Sequence, residues 1–444
     1  MFQRTFLNVC LLMLIAGNGN GQNLGGLLDH AIQKLSADVQ FKHAVISLLV
    51  IDDKTGTILF DKNSHLGLAP ASCQKVITSV SAFELLGKKF QFKTYIAFDL
   101  RASNDSLKSN LYVTGRGDPT LGSLRWHTTT ETMVLEKILG ILQKHKIHAV
   151  PGDLICDDTH FTSEPVPGGW VWEDIGNYYG AGAWGLNWRE NQFDVTFSTG
   201  LAQHDPAEII TTIPSSFLKD YAFVNFVRTG ARKSGDNAYL FSSPFQKSII
   251  ARGTVPMSAN GFTISGSMPD PPGTFIKTLQ GYLKDHEIVI SGNAWSNSQH
   301  LMNNMPLGKP GFPLDSILSP FLDSINYWFL KKSVNLFGES LIKTISYKMS
   351  GNGSTDTGIT IIKSFWEKHG IESSELNMID GSGLSPANRI TTHALVTVMQ
   401  YAKKREWFDS FYNALPLTNN LKMKDGYISG VRSYTGYAKS KKGR

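Results

Sequence analysis

Three short motifs, far apart in the chain and in a fixed order, constrain this sequence more than any other feature. Ser72-Cys73-Gln74-Lys75 comes first, Ser333-Val334-Asn335 follows far downstream, and Lys424-Asp425-Gly426 lies near the end. A serine with a lysine one helical turn later, a second Ser/Asn pair and a late Lys-x-Gly are typical of acyl-transfer sites in which a lysine activates the serine. The fold must therefore bring these motifs together although residues 76–332 separate the first two.

The first motif lies where the sequence predicts the start of a helix. Residues 44–52 and 57–60 are apolar runs joined by an Asp-Lys-Thr-Gly turn, which predicts a β-hairpin. Pro70 then opens a stretch of helical periodicity that Gly87 ends. We therefore expect Ser72 in the first turn of a helix, with the lysine of its motif on the same face.

Position separates the first motif from chance matches. The Ser-x-x-Lys pattern occurs three times, at Ser72/Lys75, Ser216/Lys219 and Ser340/Lys343. Only the first lies at the start of a helix that follows a hairpin. There the helix N-terminus stabilises negative charge on the serine oxygen, and the lysine can accept a proton if burial lowers its pKa.

Composition indicates a globular protein without nucleic-acid or metal chemistry. The 444 residues are 41% hydrophobic and 18% charged, enough for two or three domains. The net charge of +6 is small for this length, so we predict no nucleic-acid partner. The cysteines and histidines show no zinc spacing, and there is no phosphate loop, so we predict neither a metal nor a cofactor. The twelve histidines are interpreted as structural or exposed.

The pattern of the N-terminal residues is typical of a secretory signal peptide. One positive charge at Arg4 precedes the apolar residues 6–16, and small and polar residues follow. We predict a signal peptide over residues 1–22 and an exported protein that is peripheral to a membrane at most. The cysteines left after cleavage, Cys73 and Cys156, are predicted to be free thiols, because a bond to Cys73 would distort the site beside it.

The predicted secondary structure changes twice along the rest of the chain. Residues 89–300 are rich in short strand signals and turns, and a Gly/Pro-rich segment at 305–313 marks the return to a different pattern. Helical patterning is then expected over 315–346 and 391–403, and residues 427–438 alternate as one strand.

At this point the sequence resembles the D-alanyl-D-alanine carboxypeptidases of the penicillin-binding protein 4 class, peptidase family S13. Besides the catalytic triplets, the similar segments are Gly117 with Asp118-Pro119-Thr120-Leu121, Gly152-Asp153-Leu154 with Phe161, Trp170, Asn177-Tyr178-Tyr179, Leu186-Asn187, and Asp380-Gly381-Ser382-Gly383-Leu384-Ser385 with Asn388-Arg389. The last of these is the most specific, and we interpret it as a loop that supports the site. The long gap between the first two motifs also suits this family.

The resemblance implies an α+β fold: a serine β-lactamase/DD-transpeptidase-like domain, with an antiparallel sheet flanked by helices, and two nested β-rich inserted domains. The implied boundaries are 23–88 with 295–444 for the peptidase domain, 89–200 with 265–294 for inserted domain II, and 201–264 for inserted domain III.

The same resemblance implies roles for the first two motifs. Ser72 is expected to be the nucleophile that forms an acyl-enzyme with release of D-alanine, and Lys75 the base for acylation. Ser333 would pass a proton to the departing amine. Asn335 would hold the peptide and help to position Lys75.

The third motif and one inserted residue complete the implied site. Lys424 would supply positive potential, Asp425 and Gly426 would border the substrate, and the backbone N–H groups of Tyr427 and of the nucleophile would form an oxyanion hole. Asp174 would reach the amino group of a meso-diaminopimelate stem peptide. No metal is implied.

Two departures from the family pattern leave alternatives open. The family prefers a hydroxyl residue where this chain has Asp425, and a carboxylate facing the substrate carboxylate at about 4 Å costs on the order of 4 kcal/mol at an effective dielectric of about 20. The family also continues with a further strand after residues 427–438, which implies either a truncated chain or a tolerated loss.

The resemblance thus implies a serine-type D-Ala-D-Ala carboxypeptidase/endopeptidase that acts on peptidoglycan stem peptides in the periplasm and is acylated by β-lactams. A homodimer is compatible with it. One alternative is a catalytically impaired protein of the same fold that binds cell-wall peptides without turnover. Another is an esterase or β-lactamase on the same scaffold.

Overall fold

The structure is a computed structural model that describes residues 24–103, 106–258 and 261–439. The predicted signal peptide, residues 1–22, lies outside the described residues. Within them, no helix combines the length and the apolar character needed to cross a bilayer.

Helices are numbered in chain order over the described residues. They are α1 (Leu24–Ser36), α2 (Lys75–Leu86), α3 (Glu131–Lys144), α4 (Trp172–Ile175), α5 (Phe217–Asp220), α6 (Pro271–Asp285), α7 (Asn297–Met302), α8 (Leu322–Lys331), α9 (Asn335–Ser350), α10 (Thr355–Glu367), α11 (Thr392–Lys403) and α12 (Phe408–Ala414).

The strands are numbered in the same way. They are β1 (Leu48–Ile51), β2 (Ile58–Lys62), β3 (Lys93–Ser103), β4 (Ser106–Thr114), β5 (Ala149–Val150), β6 (Leu154–Asp157), β7 (Gln192–Ser198), β8 (Glu208–Ile213), β9 (Ala222–Gly230), β10 (Asn237–Phe241), β11 (Ser248–Pro256), β12 (Phe262–Ser267), β13 (Val289–Ile290), β14 (Ala294–Ser296), β15 (Phe312–Leu318), β16 (Leu376–Asn377), β17 (Arg389–Ile390), β18 (Leu417–Thr418), β19 (Leu421–Ile428) and β20 (Val431–Tyr437).

The first hydrophobic core surrounds α2. This helix packs against α8, α9, α10 and α11, and nearly every one of its side chains is buried. The helix is thus enclosed on nearly all sides, and Gly87, at φ 94°, ends it. The antiparallel hairpin β1–β2 and the antiparallel sheet β18-β19-β20 belong to the same half of the fold. The predicted hairpin, the predicted helix and the α+β class are therefore confirmed.

Two further cores lie in the region between the first two motifs. In the second, α3 and α6 pack on the five-stranded sheet β14-β6-β4-β3-β15, with Trp188 against Phe275. In the third, the sheets β12-β7-β8 and β10-β11-β9 enclose Phe193, Phe217 and Leu240. Both cores are rich in strands, as the turn-rich sequence of this region predicts.

The domain boundaries from the sequence stay predictions, and the cores suggest how to adjust them. Strand β15 still pairs with β3, although the peptidase domain was expected to resume at residue 295. Strand β7 pairs with β8 and packs into the third core, although it was expected in inserted domain II. We propose that the chain returns to the first core after β15 and that β7 and β12 belong to inserted domain III.

Two stretches of strand differ from the predicted secondary structure. Residues 312–318, expected to be helical from 315 onward, form a strand because they complete the sheet edge beside β3. Residues 427–438, expected to be one strand, contain the end of β19, a turn at Gly430 with φ 74°, and β20. A glycine in the left-handed region is what allows this tight reversal.

The two cysteines of the described chain are free, as predicted, and both are buried. The Cys73 thiol donates a hydrogen bond to the Lys424 carbonyl at 3.2 Å, which ties the first motif to the third. Burial raises the pKa of Cys73 to about 12, so this thiol stays protonated and unreactive.

Because the hydrophobic cores are separate, we expect a side-chain truncation in one core to destabilise that unit alone. Leu341→Ala in the first core and Leu240→Ala in the third each remove a fully buried side chain, so each should cost about 2–5 kcal/mol in its own unit. Scanning calorimetry should then show that each variant shifts a different unfolding transition. The matched control is Leu201→Ala, a leucine that is 96% exposed, and should shift neither. Equal shifts of every transition by both core variants would contradict the division into units.

Candidate active site

Ser72 lies in a 3₁₀ turn, Ala71–Gln74, that runs directly into α2. Its Oγ lies 2.9 Å from Lys75 Nζ and 3.0 Å from Ser333 Oγ. The expected position in the first helical turn, with the lysine on the same face, is confirmed. Two groups able to move protons thus contact one hydroxyl.

The Lys75 side chain is fully buried and held by three oxygens. Its Nζ lies 2.9 Å from Ser72 Oγ and donates to Asn335 Oδ1 at 2.6 Å and to the Ser382 carbonyl at 2.6 Å. Burial, followed by the nearby charge of Lys424, lowers the pKa of Lys75 to about 7. The amine can therefore accept a proton near neutral pH, which an ordinary lysine cannot do.

The second motif spans a helix junction. Ser333 was expected within a helical region, but it lies in the short connection between α8 and α9, with a left-handed φ of 57°. This backbone turn directs its hydroxyl towards Ser72. Asn335 is the first residue of α9, and its Nδ2 donates to the Tyr179 carbonyl at 2.8 Å. The amide therefore joins Lys75 to the inserted region.

Lys424 and Asp425 form an ion pair on β19. Lys424 is buried, and its Nζ donates to Asp425 Oδ1 at 3.0 Å and to the Asp425 carbonyl at 2.5 Å. Partial burial would raise the pKa of Asp425, but the charge and hydrogen bond of Lys424 outweigh it and hold the pKa below its usual value. The carboxylate that departs from the family pattern is thus ionised and neutralises the lysine beside it.

Gly426 is required by close packing. A Cβ at this position would lie 2.8 Å from the Ser72 backbone nitrogen and 2.7 Å from the Pro70 carbonyl, both too short. Strand β19 can therefore approach the nucleophile turn only with glycine here. The next residue, Tyr427, has an exposed side chain covered by the Arg432 guanidinium at 4.0 Å from the ring centre.

Asp174 lies at the edge of the site rather than beside the nucleophile. It is on the short helix α4 and accepts a hydrogen bond from Tyr179, while burial raises the pKa of its carboxyl. The link to the catalytic motifs runs through Tyr179, whose carbonyl accepts from Asn335. A cavity of about 260 Å³ opens here, lined by Arg125, Tyr178, Tyr179, Gln192, Ser265, Lys332, Ser333, Val334, Asn335 and Leu336.

The loop at residues 380–385 supports the site, as interpreted from the sequence. Asp380 accepts hydrogen bonds from Trp170 Nε1, from two backbone amides of its own loop, and from the side chains of Gln74 and Asn388. These bonds fix the loop so that the Ser382 carbonyl meets Lys75.

Sequence reasoning missed Glu339 and Gln74. Glu339 is fully buried on α9, one helical turn after Asn335, and its carboxyl contacts the Gly381 amide at 3.0 Å. Burial, and then the charge of Asp380, raise the pKa of Glu339. Because its ionised form is disfavoured, Glu339 places less negative charge beside Lys75, which favours the neutral amine. The four-residue spacing from Asn335 was the available signal.

The other Ser-x-x-Lys patterns form no such site. Buried Lys343 donates to the carbonyls of Glu164 at 2.5 Å and Ala183 at 3.3 Å, which is a structural role. Ser216 is exposed and precedes the short helix α5. The first pattern is thus the one whose lysine meets its own serine.

Comparison with known proteins agrees with this geometry. The profile of the D-Ala-D-Ala carboxypeptidase 3 (S13) family matches residues 28–444. The D-alanyl-D-alanine carboxypeptidase of Actinomadura sp. (strain R39) is 25% identical over 93% of this chain and 78% of its own length. The D-alanyl-D-alanine carboxypeptidase DacB of Haemophilus influenzae is 25% identical over 87% of this chain and 80% of its own.

The fold is also similar to a solved structure. The crystal structure of penicillin-binding protein 4 (dacB) from Haemophilus influenzae superposes with a TM-score of 0.74, at 22% identity over 89% of this chain and 87% of that one. The predicted fold class and family resemblance are confirmed, and since the family profile spans nearly all of the sequence, this chain belongs to the D-Ala-D-Ala carboxypeptidase 3 (S13) family.

Proposed function

We propose that this protein is a serine-type D-Ala-D-Ala carboxypeptidase/endopeptidase that cleaves peptidoglycan stem peptides through an acyl-enzyme. The observation that carries the proposal is the buried Lys75 amine, 2.9 Å from Ser72 Oγ and with a pKa near 7. A neutral amine at hydrogen-bond distance is what a serine needs to become a nucleophile.

Acylation follows from the contacts around Ser72. The Oγ attacks the carbonyl carbon of the scissile peptide bond while its proton moves to Lys75 Nζ. The backbone N–H groups of Ser72 and Tyr427 are proposed to stabilise the oxyanion. When the C–N bond breaks, the departing amine takes a proton through Ser333 Oγ, which lies 3.0 Å from the nucleophile. The product is an ester on Ser72, and D-alanine leaves.

Deacylation uses the same groups in reverse. Water adds to the ester carbonyl and gives a proton to Lys75, and Ser72 Oγ leaves with a proton returned by that lysine. Asn335 holds the Lys75 amine on one side, so the base keeps its position through both steps. No metal or cofactor takes part in this scheme.

Asp425 is expected to set the substrate preference. Its ion pair occupies the Lys424 ammonium, which would otherwise meet the terminal carboxylate of the substrate. Asp425 is half exposed while Lys424 is buried, so solvent weakens the repulsion between Asp425 and the substrate carboxylate but does not remove it. We propose that the enzyme binds free C-terminal carboxylates weakly and relies on contacts along the rest of the stem peptide.

The proposed partners and location follow the family and the leader sequence. Penicillin-binding protein 4 from Haemophilus influenzae has been crystallised with a β-lactam, which supports acylation of Ser72 here by the same class of compound. The leader supports export to the periplasm. Contact of Asp174 with a diaminopimelate amine and homodimer formation remain predictions. The non-catalytic alternative has less support, because four catalytic side chains are already within hydrogen-bond reach.

Ser72→Ala should abolish covalent labelling by a fluorescent penicillin, because the attacking hydroxyl is gone. The melting temperature should stay close to that of the parent. The matched control is Ser216→Ala, a serine in the same Ser-x-x-Lys pattern, which should keep full labelling. Gel fluorescence reads the outcome, and labelling that persists in Ser72→Ala would place the nucleophile elsewhere.

The acylation rate should depend on the ionisation of Lys75. Below pH 7 the amine is protonated and cannot act as base, so the second-order rate constant should fall about tenfold for each pH unit. Above that pH the rate should level off. Stopped-flow measurement of acylation between pH 5 and 9 tests this, and a flat profile would exclude Lys75 as the titrating base.

Asp425→Thr should release the Lys424 ammonium and supply a hydroxyl. We expect carboxypeptidase turnover of a D-Ala-D-Ala peptide to rise about tenfold or more, mainly through a lower KM, since binding of the carboxylate improves. Asp425→Asn is the matched control. It removes the charge without adding a hydroxyl, so it should give only the part of the KM decrease that is due to charge. An unchanged KM in both variants would mean that Asp425 does not face the substrate carboxylate.

A further inference from the structure

A second cluster of reactive side chains lies outside the catalytic site. His65, Glu375 and His393 each offer one atom able to bind a metal ion, and these three atoms all lie within 4.8 Å of one another. The three residues come from separate parts of the chain: the turn after β2, the end of a 3₁₀ turn at Ser373–Glu375, and the start of α11.

Backbone hydrogen bonds hold the three segments in register. The His393 amide donates to the Ser64 carbonyl at 3.1 Å, and the Thr391 amide donates to the Glu375 carbonyl at 3.2 Å. The rings of His65 and His393 are 5.0 Å apart. The cluster is therefore built by the fold and does not depend on a chance meeting of mobile side chains.

The Glu375 carboxylate is held in place by two side-chain hydrogen bonds. Its Oε2 accepts from Thr391 Oγ1 at 2.6 Å and contacts His393 Nδ1 at 2.8 Å. The carboxylate is buried and the His65 ring is exposed, so the cluster is open to solvent on the His65 side.

We propose that His65, Glu375 and His393 bind one Zn²⁺ ion, with water as the fourth ligand. Two imidazole nitrogens and one carboxylate oxygen form a common zinc ligand set, whereas Ca²⁺ and Mg²⁺ prefer oxygen ligands alone. Ligands on one zinc ion lie about 3.3 Å apart, given bonds of about 2.0–2.1 Å. The exposed His65 ring therefore moves inward on binding. His393 Nδ1 and Glu375 Oε2, now 2.8 Å apart, separate slightly as their hydrogen bond is replaced by bonds to the ion.

The bound ion would brace the strands that lead to the active site. His65 precedes Ser72 on one segment, and Glu375 precedes the supporting loop around Asp380 on another. Leu68 and Ile390 already exchange backbone hydrogen bonds between these regions. Zinc would therefore act as a structural clamp, and this inference does not depend on the proposed peptidase activity.

Zinc binding can be tested on tag-free, EDTA-treated protein titrated with ZnCl₂. Isothermal calorimetry and metal analysis after gel filtration should give one Zn²⁺ per chain, and the melting temperature should rise by a few degrees. His65→Ala and Glu375→Gln should weaken affinity more than about 100-fold, since even indirect changes around a zinc ion cost 10–100-fold.

The controls separate ligand loss from misfolding. His148→Ala, which removes another exposed histidine, should bind zinc like the parent. Metal-free His65→Ala should melt like metal-free parent, because its ring is exposed. The proposal is overturned if the parent binds no stoichiometric zinc, or if His65→Ala binds it as tightly as the parent.

Discussion

The burial of one amine governs the arrangement of this site. Lys75 sits where no water can solvate an ammonium, and its three oxygen partners come from three segments of the chain: Ser72, Asn335 and Ser382. Each partner is held in turn by other contacts, so the lysine is both the base and the point where the segments meet. A side chain in such a position is costly unless it is fully hydrogen-bonded, which accounts for the polar shell around it.

The chain between the first two motifs contributes to the same shell. The Tyr179 carbonyl fixes the Asn335 amide, and Trp170 Nε1 holds the Asp380 carboxylate at 2.8 Å. Both residues lie in the long stretch between the first two motifs. This region is therefore a structural part of the catalytic site as well as the wall of the adjoining cavity, and changes within it are expected to reach Lys75 through these bonds.

Sequence patterns predicted correctly those parts of the fold that depend on residues close together in the chain. Pro70 and Gly87 bracket α2, and the spacing from Ser72 to Lys75 places both on one face. Signals failed where tertiary pairing decides. Residues 312–318 form a strand because they pair with the edge strand β3. Ser333 has a left-handed backbone conformation, which is incompatible with a continuous helix and points its hydroxyl towards the nucleophile.

Contacts between distant residues were beyond the reach of sequence patterns. Glu339 enters the site only through the packing of α9 against the 380–385 loop. The histidine pair His65 and His393 has no short-range zinc spacing, so the absence of a metal motif said nothing about ligands brought together by the fold. Lys424 and Asp425 are neighbours in the sequence, so their ion pair could be expected. That the pair neutralises the lysine depends on the burial of Lys424, which the sequence does not show.

The central claim is that the Lys75-activated hydroxyl of Ser72 is the acyl acceptor. Peptide mapping by mass spectrometry, after brief reaction of the folded protein with benzylpenicillin, tests it most directly. The account predicts one adduct per chain, located on the peptide that contains Ser72. An adduct on any other residue, or none in a folded sample, would contradict it.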